Sequence, residues 1–138
     1  MSSPIHSRVP VEVRYAETDQ MGVVHHSVYV IWFEVARTAL CRETGHPYVD
    51  IEKMGYSLVV TGTSGRYLQP ALYGDTVLVD CHLSKITSRT LHFEYQVLRG
   101  ETVLATGATD HVWVDNDTRR ACRIPEVLKD SFVRLAGE

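Results

Sequence analysis

Three stretches of the chain alternate apolar and polar residues with the two-residue period of a β-strand that has one buried face. They cover residues 9–15, 76–86 and 91–99. Two further stretches, 56–70 and 103–115, are also typical of strands and are bounded by the turn signals LYGD and RGET. The positions expected to face the core are Val9, Val11, Val13, Tyr15, Val77, Val79, Cys81, Leu83, Leu91, Phe93, Tyr95 and Val97.

A pattern typical of a helix runs from about Ser27 to Thr44. Ser27 is the expected N-cap, because its hydroxyl can accept a hydrogen bond from a backbone N–H of the first turn. Gly45 can take the left-handed conformation that ends a helix, and Pro47 prevents its direct continuation. Only one narrow stripe, at positions 34, 38, 41 and 45, is less apolar, so we expect the helix to be largely enclosed.

The order of the elements favours an α+β fold over alternating βαβ units. One strand precedes the long helix, a short helix is expected within PYVDIEKMG, and four strands joined by tight turns follow. The segment NDTRRACR is expected to be a polar loop, and IPEVLKDSFVRLAG a C-terminal helix with Pro125 near its first turn. An antiparallel sheet that curls around the long helix would bury the apolar faces of both.

Composition and charge narrow the classes of function. With 138 residues, the chain is expected to form one domain, residues 1–138. A net charge of −3 argues against a nucleic-acid binder, which would present a basic face. No apolar run approaches the ~20 residues that cross a bilayer, and the N-terminus lacks the apolar core of a signal sequence. We therefore expect a cytoplasmic protein with no membrane partner. The three cysteines form no CxxC pair, and Cys41 and Cys81 are expected to be buried thiols.

Residues 15–37 read YAETDQMGVVHHSVYVIWFEVAR and contain the pattern T-D-x-x-G-V-V-x-H-x-x-Y. Together with RYLQPALYGD, ATGATDHVWVD and RIPEVL, this segment resembles the hotdog-fold acyl-CoA thioesterases of the 4-hydroxybenzoyl-CoA thioesterase and YbgC type. The resemblance spans nearly the whole chain. It implies a hotdog fold, with an antiparallel β-sheet wrapped around one long central α-helix and a short C-terminal helix. It also implies a homodimer or homotetramer whose active sites lie between protomers.

The resemblance assigns chemical roles to the opening segment. Asp19 matches the family's catalytic carboxylate, which attacks the thioester as a nucleophile or activates a water as a general base. His26 matches a histidine that orients the carboxylate or protonates the departing thiolate. The free N–H groups and the positive dipole end of the helix start would stabilise the developing oxyanion. The residues expected to shape the oxyanion site or position the substrate are Gly22, His25, Ser27 and Tyr29.

Three other polar residues are expected to have structural roles. Glu34 and Arg37 match family positions, but an intrahelical ion pair is expected of them, since they lie three residues apart on the helix. His111, in the last long strand, is interpreted as a residue of the sheet and not as a ligand.

Coenzyme A carries phosphates, so a basic surface is expected at the mouth of the pocket. The arginines that could form it are Arg89 in the TSRT turn and Arg119, Arg120 and Arg123 before the last helix. The expected substrate is an acyl-CoA, and an acyl carrier protein thioester is an alternative because both carry the phosphopantetheine arm. Neither a metal nor a cofactor is expected in the reaction.

Two other classes of function stay open at this point. A hotdog hydratase or dehydratase would need His and Asp residues placed differently, and no hydratase-type motif is present. A non-catalytic acyl-CoA-binding protein would keep the pocket without needing the carboxylate of Asp19. Aryl, short-chain and branched acyl groups are all compatible with the mixture of aliphatic and aromatic residues in the strands.

Overall fold

The computed structural model describes residues 3–138, so Met1 and Ser2, with which the predicted domain begins, lie outside the described residues. The described part contains six strands and three α-helices, which confirms the predicted α+β class. The helices are α1 (His26–Arg42), α2 (Tyr48–Lys53) and α3 (Glu126–Leu135). The strands are β1 (His6–Glu12), β2 (Tyr56–Tyr67), β3 (Thr76–Ile86), β4 (Thr90–Arg99), β5 (Thr102–Asp115) and β6 (Arg120–Cys122).

The strands form a single antiparallel sheet in the order β1-β3-β4-β5-β2, and β6 pairs with the end of β5. Consecutive strands β3, β4 and β5 are neighbours because short turns connect them. The long strand β2 lies at one edge of the sheet, where it pairs with β5 alone among the described strands. The other side of β2 pairs with no described strand, although near its start the Leu58 N–H donates to the Tyr48 hydroxyl at 3.1 Å.

One face of the sheet is covered by α1 and α3. The predicted inward positions of β3 and β4 are all buried on this face. The Phe33 ring of α1 stacks on Tyr95 of β4 with ring centroids 4.4 Å apart. A Cβ atom at Gly107 of β5 would overlap that same phenylalanine ring, so α1 rests directly on the backbone of the sheet there. At the other helix, Phe132 meets Trp113 edge to face at 5.4 Å.

The long helix differs from its prediction in two ways. It begins at His26, and its N-cap is His25, whose Nδ1 atom accepts from the Ser27 N–H at 3.2 Å, so the assignment of Ser27 as N-cap was wrong. It is also less enclosed than expected, since Ile31 is 56% exposed and Val35 is 42% exposed. One chain therefore covers only part of the apolar surface of α1.

Of three other predictions of local structure, one is confirmed and two differ from the structure. Gly45 follows α1 with a φ of 83°, as expected for a left-handed residue at a helix end. Tyr15 was expected to be buried but is 76% exposed, because the chain leaves the sheet after Glu12 and makes a 3-10 turn over Tyr15–Glu17. The predicted polar loop at 116–123 contains the short strand β6.

The cysteines show the predicted burial. Cys41 and Cys81 are 2% and 0% exposed, respectively. Burial raises the pKa of the Cys41 thiol to about 11 and also raises the pKa of Cys81. Cys122 is half-buried, and burial raises its pKa as well. Within residues 3–138, no helix is long and apolar enough to span a bilayer.

Candidate active site

Asp19 lies in a tight loop before α1, and the backbone of that loop holds its carboxylate. The Oδ1 atom accepts from the N–H groups of Met21 at 2.8 Å and Val23 at 3.3 Å. The Gly22 N–H donates to the Asp19 carbonyl at 3.0 Å, and Gly22 has a φ of 77°, a conformation that other residues rarely adopt. The loop therefore fixes one carboxylate oxygen and leaves the other, Oδ2, without a described protein donor among residues 3–138.

Glu17, two residues before Asp19, is buried and ties the loop to the helix. One carboxylate oxygen accepts from the Arg14 N–H at 2.8 Å, and the other accepts from the Trp32 indole at 3.1 Å. Its backbone carbonyl also accepts from the His25 N–H at 2.9 Å. Burial works to raise the pKa of Glu17, but these hydrogen bonds and the charge of Arg14 outweigh it and lower that pKa. Sequence reasoning missed this residue, because an isolated Glu in a loop gives no signal of burial.

The start of α1 is organised by two adjacent histidines. The backbone carbonyl of His25 accepts from the Val28 N–H at 2.9 Å, and its imidazole Nδ1 lies 2.8 Å from the Ser27 hydroxyl. The His26 ring stacks on that of His25 with centroids 4.4 Å apart. The two imidazoles thus stand together at the helix end that has unpaired backbone N–H groups.

The loop and the helix start form one wall of a cavity of about 420 Å³. The opposite wall is the end of β2 and the segment after it, where the N–H groups of Leu68 and Gln69 both donate to the Leu104 carbonyl. Tyr29 and Tyr67 approach each other across the cavity with ring centroids 5.0 Å apart. The lining residues are Asp19, Val24, His25, His26, Tyr29, Tyr67, Leu68, Gln69 and Pro70.

The cavity brings together four residues that sequence reasoning had assigned to the site, namely Asp19, His25, His26 and Tyr29. Gly22 and Ser27 are not part of its lining. Their contributions are to the shape of the loop and to the cap of α1. Tyr67 is a lining residue that was not predicted as a site residue, although the segment RYLQPALYGD was part of the family resemblance.

Tyr29 presents a buried phenol to the cavity. Burial is the main cause that raises its pKa, and the neighbouring Tyr67 acts in the same direction. The backbone of Ala71 and the charge of Arg99 oppose this rise without reversing it. The phenol therefore stays protonated at neutral pH and can act as a hydrogen-bond donor. Arg99, which the sequence did not single out, donates to the Pro70 carbonyl at 3.3 Å at the edge of the cavity.

The arginines predicted to bind coenzyme A lie at the other end of the sheet. The Arg89 carbonyl accepts from the Trp113 N–H at 3.4 Å, near the end of β5. The other three lie in and around β6, and all four are exposed. Strand β2 runs from this end, where Tyr56 pairs with Asp115, to the cavity at Tyr67. At about 3.3 Å per residue, the separation along the strand is about 35 Å, so one chain does not place these arginines at its own cavity.

The expected ion pair between Glu34 and Arg37 is absent from the described residues, so that prediction was wrong. Arg37 instead donates to the Tyr95 hydroxyl at 3.1 Å. That hydroxyl lies 2.6 Å from Thr109, whose own hydroxyl lies 2.8 Å from the His111 Nε2 atom. His111 belongs to β5, as interpreted, and is 1% exposed. Burial, followed by the charge of Arg37, lowers the pKa of His111 to about 4.

Comparisons with known proteins identify the family. The family model of the thioesterase-like superfamily matches residues 13–132. A Bacillus subtilis protein, YneP, provisionally named an acyl-CoA thioesterase, is 34% identical over 125 residues, which cover 90% of this chain and 91% of that protein. The acyl-CoA thioesterase YbgC of Haemophilus influenzae is 28% identical over 127 residues, which cover 91% of this chain and 93% of that protein.

A solved structure gives the same result for the fold. The DHNA-CoA thioesterase from Staphylococcus aureus superposes with a TM-score of 0.88 at 30% identity, covering 94% of this chain and 90% of that chain. The hotdog fold implied by the sequence resemblance is thereby confirmed. The family model covers well over half of the chain, and it includes both the loop of Asp19 and the strand that closes the cavity. The chain belongs to the thioesterase-like superfamily.

Proposed function

We propose that the protein hydrolyses an acyl-CoA thioester to a free acid and coenzyme A. The observation that carries the proposal is the cavity at the start of α1, which Asp19 and His26 line together. Hydrolysis of a thioester needs an activated oxygen nucleophile at the acyl carbon and a donor to the carbonyl oxygen. The cavity holds a carboxylate for the first requirement and a helix N-terminus for the second.

Asp19 acts in this proposal as the general base. Its Oδ1 atom is held by two backbone N–H groups, while Oδ2 is left to accept a proton from water. His26, on the same wall, positions that water or protonates the departing thiolate. Thr18, next to Asp19, takes no part in holding the water, because its hydroxyl donates to the Tyr15 carbonyl at 2.7 Å and it does not line the cavity. The proposal therefore relies on Asp19 and His26 alone.

The donor to the thioester carbonyl is proposed to be the N–H of His26. His25 already accepts from the Ser27 N–H through its ring and from the Val28 N–H through its carbonyl. The N–H of the first residue of α1 is then the donor that stays available to a ligand, and the helix dipole adds to its effect. The protonated phenol of Tyr29 is a second donor on the same wall.

We further propose that the working unit is a dimer in which two β2 strands pair across a two-fold axis. The free side of β2 and its exposed residues leave backbone groups available for such a pair. In an antiparallel pair, the Tyr56 end of one strand meets the Tyr67 end of the other. Arg119, Arg120 and Arg123 of one protomer would then stand near the cavity of its partner, where they could bind the phosphates of coenzyme A.

The acyl group is proposed to be aromatic or short. Two tyrosines and Pro70 line the cavity, and its volume is about 420 Å³. The Staphylococcus aureus relative is named a DHNA-CoA thioesterase. A Synechococcus relative that is 27% identical is named a 1,4-dihydroxy-2-naphthoyl-CoA hydrolase, and that acyl group is a bicyclic aromatic. The exposed face of Tyr67 would favour contact with a flat acyl group over a long flexible chain.

The test is release of CoA thiol, followed with DTNB, over a panel of aryl, short, branched and long acyl-CoAs. Asp19→Asn is expected to lower kcat by about 100-fold or more, because the amide cannot accept the proton from water. Asp130→Asn, at an exposed position of α3, is the matched control and should retain wild-type kcat. Activity of Asp19→Asn within a few-fold of wild type, at an unchanged melting temperature, would remove Asp19 from this role.

The same assay separates the competing functions. A hydratase would consume an enoyl-CoA without releasing thiol. A non-catalytic binding protein would bind the panel tightly and release no thiol from any member. Thiol release that depends on Asp19 is expected only of the hydrolase.

A single turnover in heavy-oxygen water tests for an anhydride between Asp19 and the acyl group that water opens at the Asp19 carbonyl. With enzyme in excess, direct attack by water puts solvent oxygen into the first molecule of acid product. An unlabelled first product, with the label found in Asp19, would show that the carboxylate attacks the acyl carbon and forms an anhydride. That result would overturn the general-base assignment and leave the proposed activity intact.

A further inference from the structure

Three side chains of the types that bind metal ions meet on the face of the sheet opposite α1. His6 lies on β1, and Asp80 and His82 lie two residues apart on β3, so Asp80 and His82 project from the same face. His6 is the direct register partner of His82, and the two rings stack with centroids 4.5 Å apart. Each side chain offers one ligand atom, and these atoms lie within 4.8 Å of one another.

The cluster faces a cavity of about 520 Å³ that is separate from the cavity of Asp19. Glu94, which pairs with His82 from the neighbouring strand β4, lines the same cavity. The cavity has room for water molecules to complete the coordination of an ion. The cluster is thus accessible from solvent although one of its members is buried.

Asp80 is that buried member, at 5% exposure, and both of its oxygens have partners. His6 Nδ1 donates to Oδ1 at 2.8 Å, and Arg8 Nε donates to Oδ2 at 2.8 Å. Arg8 holds the orientation of the carboxylate, in the way that hydrogen-bonded neighbours orient the ligands of metal sites. An ion bound by Oδ1 would replace the proton that His6 donates to this oxygen, and Arg8 would keep the carboxylate itself in place.

We propose that His6, Asp80 and His82 form a binding site for a divalent first-row metal ion of the zinc type, which cross-links β1 to β3. Two imidazoles and a carboxylate are ligands that Zn²⁺ takes readily, and imidazole also suits Cu²⁺ and Ni²⁺. The site takes no part in the hydrolysis proposed for the other cavity. Its role is to hold the edge strand β1 on the sheet.

The geometry requires one modest adjustment. Tetrahedral coordination with bonds of about 2.0–2.2 Å places ligand atoms about 3.3–3.5 Å from one another. The separations in the cluster must therefore close by at most about 1.4 Å. His6 is the ligand able to move, because its side chain is 35% exposed, whereas that of Asp80 is 7% exposed.

The test is calorimetric titration of tag-free, EDTA-treated protein with Zn²⁺, together with melting curves in the presence and absence of the ion. Wild type is expected to bind Zn²⁺ and to melt at a higher temperature when the ion is present, because the ion binds only the folded chain. His6→Gln and His82→Gln should each weaken binding by at least about tenfold, since loss of even an outer-shell partner commonly costs 10–100-fold.

His92→Gln is the matched control. His92 also pairs with a carboxylate, that of Asp110 at 2.6 Å, but it is outside the cluster. The control should bind Zn²⁺ as wild type does. Absence of binding in wild type would overturn the proposal. Binding of Zn²⁺ by His6→Gln and His82→Gln as tight as that of wild type would also overturn it. Binding lost only in His25→Gln or His26→Gln would place the ion at the other cavity and would overturn it as well.

Discussion

Replacing Glu17 by Gln tests whether this buried carboxylate holds the loop of Asp19 against the helix. The amide keeps the size of the side chain but can accept at only one end. Its NH₂ group must then face either the Arg14 N–H or the Trp32 indole, both of which donate to Glu17. The variant loses one hydrogen bond to a charged acceptor and leaves a buried donor without a partner, a cost of about 2–3 kcal/mol.

The effect should be visible in stability and in activity. For a chain of this size, a loss of 2–3 kcal/mol corresponds to a fall in Tm of about 10 °C. Because Glu17 also fixes the backbone of His25, a shift of the loop should lower kcat by about tenfold or more. Urea unfolding at one protein concentration measures the first effect, and thiol release measures the second. Glu52→Gln, at an exposed position of α2, is the control and should lie within about 0.5 kcal/mol of wild type.

The dependence on pH gives the sharpest test of this reasoning. The folded protein lowers the pKa of Glu17 below its value in the unfolded chain, which is about 4.3. The stabilisation is therefore complete above about pH 4.3 and is lost as the pH falls through the folded-state pKa. The difference between wild type and Glu17→Gln should shrink in that range. A difference below about 0.5 kcal/mol at pH 7, or one that stays constant as the pH falls, would refute the role of the ionised carboxylate.

Three further outcomes are expected. Replacing Arg119, Arg120 and Arg123 together by Gln should raise KM for an acyl-CoA but barely change it for a pantetheine thioester without the nucleotide, because phosphate contacts act mainly on binding. Equal losses of kcat/KM for both substrates would assign these arginines to folding. Light scattering at micromolar concentration should give a dimer or a tetramer, and a fully active 15.6 kDa monomer would contradict the proposed pairing of β2 strands. His111 should make wild type less stable as the pH falls from about 6.5 to about 4, by up to about 3 kcal/mol, since the unfolded chain binds a proton there and the folded chain does not. In urea unfolding, His111→Gln should reduce that slope, and an unchanged slope would show that other groups cause it.

The sheet could be predicted from the sequence because its core positions alternate with the period of a strand. In β4, Leu91, Phe93, Tyr95 and Val97 are all buried, as the pattern indicated. The short strand β6 could not be predicted in this way. It spans only Arg120–Cys122 and is held by backbone pairing with β5, which requires no apolar pattern.

The site was predictable as a segment but not in its supporting contacts. The motif around Asp19 located the loop and the helix start, and four of the predicted residues line one cavity. The cap of α1 was misassigned because Ser is the commoner N-cap, whereas here the imidazole of His25 accepts the hydrogen bond. The enclosure of α1 was overestimated because periodicity reports which surface is apolar and not what covers it. In the described chain, Ile31 and Val35 remain exposed.

The burial of two cysteines determines how cleanly a thiol reagent can report on this protein. DTNB reacts with thiolates, and the raised pKa values of Cys41 and Cys81 keep both thiols protonated at neutral pH. Both side chains are also closed to solvent. In folded protein, the background is therefore limited to Cys122, which can contribute no more than one equivalent per chain before substrate is added. A burst beyond one equivalent in a blank reaction would signal opening of the core, so the same reagent that measures turnover also reports on the integrity of the fold.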